Sequence, residues 1–281
     1  MEPFVLKNKE PEIYLLEPWG ARDSRITAGF TGRKGGVSSF PYTSLNLAFH
    51  VGDDPADVIR NREAVAGALG YRLQDWTCGE QVHRSEAAVV TAADKGRGSL
   101  DRASAFADTD ALVTDVPGVL LTSFYADCVP LYFFDPDRPA VGLAHAGWKG
   151  TVAEIAAAVV KRMGEAYGTR PERLLAAIGP SIGECCYEVD ERVMTEVRRV
   201  LEGMDEDQIG DLPVARGTGS GKSVLNLKEL NRRIMIKAGI LPTHIECTTW
   251  CTSCNHDEFF SYRKDGGTTG RMASFVGLKE S

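Results

Sequence analysis

Residues 119–150 read VLLTSFYADCVPLYFFDPDRPAVGLAHAGWKG, and this stretch decides the predicted fold. Two apolar runs, LYFFD (131–135) and AVGLAHA (140–146), flank the Pro- and Asp-rich break DPDRP, which is the pattern of a β-hairpin. Both runs are apolar along their whole length, as expected for strands that are covered on both faces. The sequence therefore predicts a mixed sheet core between helices.

Helix-like and strand-like segments alternate along the rest of the chain. Asp54 is a candidate N-cap, Pro55 suits the first helical position and Gly70 is a stop signal, so a helix is predicted over 55–70. Further strands are predicted at 87–91, 111–115, 119–125, 174–180, 245–249 and 259–262, and further helices near 190–202 and 226–238. The mixture favours the α+β class.

Two local patterns complete the prediction of the fold. Thr151 and Glu154 match a T-x-x-E capping box, which predicts that a helix opens there. The Gly-rich stretch 215–223, preceded by the acidic turn 203–211, is predicted to be a flexible loop. Because no stretch resembles an interdomain linker, we expect residues 1–281 to form a single domain.

Composition limits the possible functions. The 281 residues include 43% hydrophobic and 25% charged residues, which is ordinary for a globular protein. The net charge of −7 argues against a nucleic-acid surface, which requires a basic stripe. The N-terminus lacks a signal-peptide pattern, no apolar stretch is long enough for a membrane span, and seven cysteines fit a reducing compartment. We expect a cytoplasmic protein without membrane or nucleic-acid partners, and the oligomeric state is left open.

The hairpin brings two reactive side chains together. If its turn centres near Asp137, Cys128 and His145 lie side by side at the open end of the hairpin. A thiolate beside an imidazole has two usual meanings, a Cys–His nucleophile pair or metal ligation. Both side chains are also compatible with an ordinary place in the core.

The segment after His145 favours an anion. AHAGWKGTVAEI (144–155) runs from a strand through a glycine turn to the N-terminus of a helix, where backbone N–H groups and the helix dipole attract negative charge. Lys149 adds a cation. A phosphate site is therefore physically reasonable here, although an ordinary strand-to-helix connection has the same pattern.

Six linked motifs resemble those of the YfiH, or laccase-domain, family across nearly the whole chain. The motifs are GEQVH (79–83), ADTDALVTD (107–115), ADCVP (126–130), AHAGWKG (144–150), IGPSIGECCYEV (178–189) and FFSYRKDGGTTGRMAS (259–274). This family was labelled multicopper polyphenol oxidoreductase and is also described as purine nucleoside phosphorylase. The resemblance implies a layered α/β/β/α sandwich and a zinc ion held by His83, Cys128 and His145, with copper as the alternative metal.

The implied reactions are phosphorolysis of adenosine, inosine and methylthioadenosine, together with adenosine deamination. The expected partners are thus a small nucleoside and phosphate. Asp127, beside the Cys, is a candidate proton carrier or a residue that orients a ligand. The candidate phosphate contacts are Arg33, Lys149 and Arg263. The candidate contacts to ribose or base are Asn46, His50 and Gln81.

Other interpretations remain open. A copper-dependent polyphenol oxidoreductase follows from the older family label, but the chain has only five His residues, too few for several copper sites. A cysteine hydrolase acting on a peptidoglycan precursor would use Cys128 as nucleophile and His145 as base. Cys247, Cys251, Cys254 and His256 resemble a zinc knuckle in their spacing, whereas Cys185 and Cys186 are expected to border the pocket or the core.

Overall fold

The computed structural model describes residues 1–204, 213–219 and 221–280, which form fifteen strands and six α-helices. The strands are β1 (Phe4–Lys9), β2 (Glu12–Leu16), β3 (Ile26–Thr31), β4 (Trp76–Cys78), β5 (Ala87–Val89), β6 (Ala111–Thr114), β7 (Leu120–Tyr125), β8 (Val129–Asp135), β9 (Ala140–Ala146), β10 (Leu175–Ile178), β11 (Glu188–Val189), β12 (Ala215–Gly217), β13 (Ser223–Leu225), β14 (Ile245–Cys247) and β15 (Met272–Leu278). The helices are α1 (Glu17–Arg22), α2 (Pro55–Leu69), α3 (Trp148–Val152), α4 (Ile155–Tyr167), α5 (Glu191–Glu202) and α6 (Leu227–Lys237).

Two six-stranded mixed sheets stack face to face between helices. The first sheet has the order β1-β2-β3-β15-β7-β4 and the second the order β14-β10-β8-β9-β6-β5. Side chains of both sheets, such as Phe30 and Tyr132, share one buried cluster between them. Helix α2 packs on the outer face of the first sheet, and α4, α5 and α6 pack on that of the second. The predicted α+β class and the α/β/β/α layering are confirmed, whereas the single domain over 1–281 stays a prediction.

The predicted hairpin is present, with β8 antiparallel to β9. Pro130 lies opposite His145, so Cys128 is a diagonal neighbour of His145 rather than its direct partner. Side chains alternate along a strand, so Cys128, Pro130 and His145 all lie on the face that meets the first sheet. The hairpin therefore delivers a thiol and an imidazole to the edge of the space between the sheets.

Helix α2 has the predicted ends. The carboxylate of Asp54 accepts a hydrogen bond from the N–H of Ala56, Pro55 occupies the first turn, and Gly70 ends the helix in the left-handed region with φ 77°. Glycine adopts this conformation without the strain that a Cβ introduces. Buried Val65 and Ala66 lie on the face that packs on the first sheet.

The predicted capping box at Thr151 and Glu154 is wrong. Both residues use their side chains elsewhere, since Thr151 accepts a hydrogen bond from Asn231 and Glu154 pairs with Lys237 at 2.7 Å. Glu154 adopts a left-handed φ of 55° and separates the short α3 from α4. A break in the helix thus replaces the predicted helix start.

Other predictions need smaller corrections. Residues 259–262 form no strand, although Phe259 and Phe260 are fully buried. The predicted loop 215–223 begins with β12 and ends where β13 starts, and both strands belong to a small third sheet of order β11-β13-β12. Most of the acidic turn at 203–211 lies outside the described residues. Among the described residues, every helix is too short or too polar to cross a lipid bilayer.

Candidate metal centre and active site

Three side chains distant in sequence converge at the open end of the hairpin. The donor atoms of His83, Cys128 and His145 all lie within 4.8 Å of one another. The Sγ atom of Cys128 is 4.0 Å from Nε2 of His83, and the two imidazole rings have centroids 4.8 Å apart. Tetrahedral zinc with nitrogen and sulfur ligands holds its donors roughly 3.3–3.8 Å apart. The three residues therefore fit a metal ion after a small contraction, and leave one coordination position open.

Asp110 orients this centre. Its buried carboxylate lies 2.9 Å from Nδ1 of His145, which leaves Nε2 as the free nitrogen of that ring. The same carboxylate accepts hydrogen bonds from the backbone N–H groups of Val82, His83 and Arg84 at 2.8–3.1 Å. One acidic side chain thus fixes one imidazole directly and the other through the backbone of its turn. Carboxylates of this kind set the tautomer and basicity of metal-bound histidine.

We expect Asp110→Asn to weaken zinc binding by about 10- to 100-fold, the range for residues that orient a ligand. The amide has only one oxygen to accept hydrogen bonds, so either the turn at His83 or the contact with His145 is lost. Competition with a chelator of known affinity measures the change. Asp108→Asn is a matched control, because Asp108 is exposed in the same loop. Equal zinc affinities for Asp110→Asn and wild type would show that Asp110 does not orient the centre.

Strained backbone conformations aim two residues at the site. His83 has φ 63° and Asp127 has φ 87°, both in the left-handed region that is uncommon for non-glycine residues. The three N–H bonds to Asp110 hold the first turn. The second is held because Asp127 accepts hydrogen bonds from the hydroxyl of Thr252 at 2.6 Å and from the N–H of Arg263 at 2.7 Å.

Charges in the site stabilise a thiolate in the metal-free protein. Burial opposes ionisation of Cys128, but the charges and hydrogen bonds of His145 and His83 lower the pKa of the thiol to about 6. Burial also opposes protonation of His145, but the Cys128 thiolate and Asp110 raise the pKa of the imidazole to about 9. The two side chains therefore form an ion pair at neutral pH.

We expect Cys128 in metal-free protein to react with iodoacetamide as a thiolate, with a midpoint near pH 6. The pair stabilises the fold only while both members are charged. Its contribution falls as pH drops through about 6, where the thiolate is protonated, and as pH rises through about 9, where the imidazole loses its proton. Peptide mass spectrometry after timed alkylation gives the profile of Cys128. His145→Ala should move the midpoint upward, and a wild-type midpoint near the ordinary value of about 8.5 would contradict the ion pair.

The three donors border a cavity of about 760 Å³. Its wall carries more positive than negative side chains: the cations are Arg62, Arg102, Lys149, Arg263 and Arg271, and the carboxylates are Glu80 and Asp127. Glu80 is paired with Arg102 at 2.7 Å, and Asp127 is occupied by the two donors described above. Lys149, Arg263 and Arg271 make no salt bridge within the described part of the chain. The same cavity thus contains the three metal-binding side chains and more positive than negative side chains.

Comparison with known proteins identifies the family. Residues 27–279 match the family described as multi-copper polyphenol oxidoreductase laccase. The chain belongs to this family. It is 40% identical to the purine nucleoside phosphorylase YlmD of Bacillus subtilis (strain 168), over 99% of this chain and 98% of the relative.

Two further proteins are similar over most of their length. The adenosine deaminase RL5 of an unknown prokaryotic organism is 34% identical over 84% of this chain and 87% of its own. The crystal structure of the Bacillus licheniformis hypothetical protein YfiH superimposes with a TM-score of 0.92 at 42% identity, over 99% of this chain and all of that one. The predicted resemblance is confirmed, and the chain is an enzyme of this family.

Five of the predicted residues outside the metal set line the cavity, but they differ in what they can contact. Lys149 and Arg263 present charge, and Arg263 also donates to the carbonyls of Cys186 and Glu188. His50 is also in the wall, where partial desolvation and the nearby Arg271 and Arg102 lower the pKa of its imidazole to about 4. His50 is therefore neutral at pH 7.

Gln81 and Asp127 line the cavity with their polar atoms already engaged. The amide of Gln81 donates to the carbonyl of Phe124 and accepts from its N–H, both at 2.8 Å, so it continues the edge of β7. The two carboxylate oxygens of Asp127 accept hydrogen bonds, one from the hydroxyl of Thr252 and one from the backbone N–H of Arg263. These two contacts fit the alternative of a positioning residue, and the role of Asp127 as a proton carrier stays a prediction.

Two predicted substrate contacts lie outside the cavity wall. Asn46 is fully buried, and its amide bonds to Ala48, Asp53 and the N–H of Arg271. Arg33 donates to the carbonyl of His256 and stacks on Phe260, 4.5 Å from the ring centre. Both side chains close loops around the site, and neither lines the cavity.

Asp110 and Arg271 are site residues that were not predicted from the sequence. Asp110 directly precedes a predicted strand, and β6 pairs with β9 so that Ala111 lies opposite Ala144. The same register sets Asp110 beside His145, so pairing of the two predicted strands would have found it. Arg271 lies in the RMAS part of a recognised motif, but its place in the cavity depends on β15, which was not predicted.

Proposed function

We propose that this enzyme is a zinc-dependent purine nucleoside phosphorylase acting on adenosine, inosine and methylthioadenosine. The observation that carries the proposal is the presence, in one cavity, of a three-donor metal set and of three cations, Lys149, Arg263 and Arg271, that form no salt bridge with any described residue. Phosphate needs such cations, and a nucleoside needs a cavity of this size with apolar walls. Phe49, Phe124 and Tyr262 supply aromatic surface in the wall. The similarity to a relative named purine nucleoside phosphorylase over almost its full length supports the same conclusion.

The chain's own residues determine how the reaction would run. A zinc ion held by His83, Cys128 and His145 would supply Lewis acidity at the open side of the centre. Lys149 and Arg271 attract phosphate and hold it for attack on the anomeric carbon of the sugar. Asp110 keeps His145 in one tautomer throughout.

The direct test is incubation of the purified enzyme with inosine and phosphate, followed by chromatography of the products and metal analysis. The proposal predicts equal amounts of hypoxanthine and ribose 1-phosphate, strict dependence on phosphate, and loss of activity after zinc removal. Release of base without phosphate would contradict phosphorolysis. Phenol oxidation by a copper-loaded protein, or an acyl adduct on Cys128 in metal-free protein, would support the competing interpretations.

Adenosine deamination is a second candidate activity. Its support is the similarity to the relative named adenosine deaminase RL5, together with the open side of a three-ligand centre. Deamination predicts that adenosine yields inosine and ammonia in the absence of phosphate. Adenosine that is stable without phosphate but cleaved with it would leave phosphorolysis as the sole activity.

We expect Lys149→Gln to raise the KM for phosphate about tenfold, which corresponds to the loss of one charge-assisted contact of about 1.4 kcal/mol. The KM for inosine should change little, because the side chain is exposed at the phosphate end of the proposed site. Steady-state kinetics with each substrate varied in turn measures both constants. Lys161→Gln on the exposed face of α4 is the matched control. Equal increases in both KM values would contradict a specific phosphate contact.

A further inference from the structure

A second cluster of metal-binding side chains lies outside the centre described above. The Sγ atoms of Cys185, Cys186, Cys251 and Cys254 all lie within 4.8 Å of one another. Sγ of Cys254 is 3.4 Å from Sγ of Cys185 and 3.4 Å from that of Cys186. In a tetrahedral zinc site with Zn–S bonds of about 2.3 Å, the sulfurs lie roughly 3.8 Å apart. The four thiols therefore already surround a space of the size that one zinc ion requires.

The cluster corrects the zinc-knuckle pattern of the sequence. Cys247 contacts the carbonyl of Thr248, and His256 lies 2.5 Å from Asp265, so neither belongs to the cluster. The other two thiols of the cluster belong to Cys185 and Cys186, which are neighbours in the sequence but lie far from Cys251 and Cys254 along the chain. The spacing Cys251-x-x-Cys254 supplies the other half, as in structural zinc sites.

The surroundings support thiolates at this position. The N–H of Gly183 donates to Sγ of Cys251 at 3.2 Å, a contact typical of metal-bound sulfur. A side chain at Gly183 would meet Sγ of Cys185 at 3.2 Å and Cβ of Cys251 at 3.3 Å, so a glycine lets the two segments approach. The ammonium of Lys228 is buried, and the thiols of Cys247, Cys251 and Cys185 act electrostatically on it. Its positive charge offsets part of the negative charge that four thiolates carry.

The two segments of the cluster lie beside the cavity: the first contributes Ile182 and Tyr187 to its wall, and the second contacts Asp127 in that wall. Ser181 and Cys251 form a parallel bridge between the segments. Thr252, inside the Cys-x-x-Cys turn, holds the carboxylate of Asp127, and the N–H of Ile182 donates to the carbonyl of Asp127 at 2.9 Å. The cluster is thus connected to Asp127, the residue that precedes Cys128.

We infer that Cys185, Cys186, Cys251 and Cys254 bind a second zinc ion through four thiolates, which fastens together two segments beside the cavity. Four protein ligands leave no open position, so this ion is structural, in contrast to the three-ligand centre. The inference does not depend on the proposed reaction, because it rests on the sulfur geometry alone.

The test is zinc content per chain in protein purified with reductant and without chelators. Wild type should hold about two zinc ions, and both Cys185→Ser/Cys254→Ser and Cys128→Ala should hold about one. Cys247→Ser is the matched control and should hold the wild-type amount. After cobalt substitution, the sulfur-to-metal charge-transfer band should lose most of its intensity in the double variant and only a small part in Cys128→Ala.

X-ray absorption on wild type keeps the test decisive if the double variant does not fold. Two sites, one with four sulfurs and one with a single sulfur and two nitrogens, give an average zinc environment dominated by sulfur. One zinc per wild-type chain with a nitrogen-rich environment would overturn the inference. A disulfide between Cys254 and either Cys185 or Cys186 in the reduced preparation, without a second metal, would overturn it as well.

Discussion

Cys128→Ala is expected to lower kcat/KM for inosine phosphorolysis by at least about 10³-fold, since a metal ion at a reaction centre contributes several kcal/mol to transition-state stabilisation. The thiol is the only sulfur donor of the three-residue centre, and its Sγ atom lies within 4.8 Å of a donor nitrogen of both His83 and His145. Its removal leaves two imidazoles, which hold zinc weakly. Steady-state kinetics and zinc analysis on the same preparation measure both losses.

The fold of this variant should survive, because Cys128 is only half-buried and alanine loses a single sulfur atom. Circular dichroism and the thermal midpoint report the fold independently of activity. Cys247→Ser provides the control for replacement of a cysteine outside the centre. A Cys128→Ala protein that is folded, lacks metal at this centre and still phosphorolyses inosine would refute the proposed role of the metal.

The largest effect on stability is expected for Arg62→Ala, at about 3–5 kcal/mol of unfolding free energy. The guanidinium is fully buried and donates to the carbonyls of Leu47, Gly98 and Ser99 at 2.7–2.8 Å. It also lies between two rings, 4.2 Å from the centre of Phe49 and 4.4 Å from that of Phe124. Burial lowers its pKa to about 10, so the group remains charged at pH 7. Alanine would leave a cavity and three buried carbonyls without donors.

Urea unfolding followed by tryptophan fluorescence measures the loss. Arg60→Ala is the matched control on the same helix, because Arg60 is exposed and pairs only with Asp57 there. That variant should stay within about 0.5 kcal/mol of wild type. Arg62→Lys should recover little of the stability, since an ammonium cannot reach all three carbonyls in the fixed geometry of the guanidinium. If Arg62→Lys were as stable as wild type, the positive charge at position 62, and not the shape of the guanidinium, would account for the stabilisation.

The strands and helices of the middle of the chain could be predicted because their apolar runs are long and their turns are marked by Pro, Gly and Asp. The same patterns placed Cys128 and His145 on one strand pair. The ends of the chain were not predicted. Strand β15 pairs with β3 across more than two hundred residues of sequence, and such long-range pairing leaves no local signal.

The substrate side of the site could be predicted only in part. Residue type suggested cations, but the sequence does not tell whether a side chain faces the cavity or closes a loop. Arg33 and Lys149 follow similar glycine-containing stretches, yet Arg33 stacks on Phe260 while Lys149 lines the cavity. The cysteine cluster shows the same limit, since the spacing of Cys251 and Cys254 was visible but their partners Cys185 and Cys186 were not.

The residues that line the cavity come from most of the length of the chain, from Phe49 to Arg271. During translation, a nascent chain that already displays His83, Cys128 and His145 still lacks Arg263, Arg271 and the strand that follows them. We therefore expect ribosome-bound chains that stop before β15 to be catalytically silent. The enzyme would gain its activity in one late step of synthesis, when β15 inserts between β3 and β7.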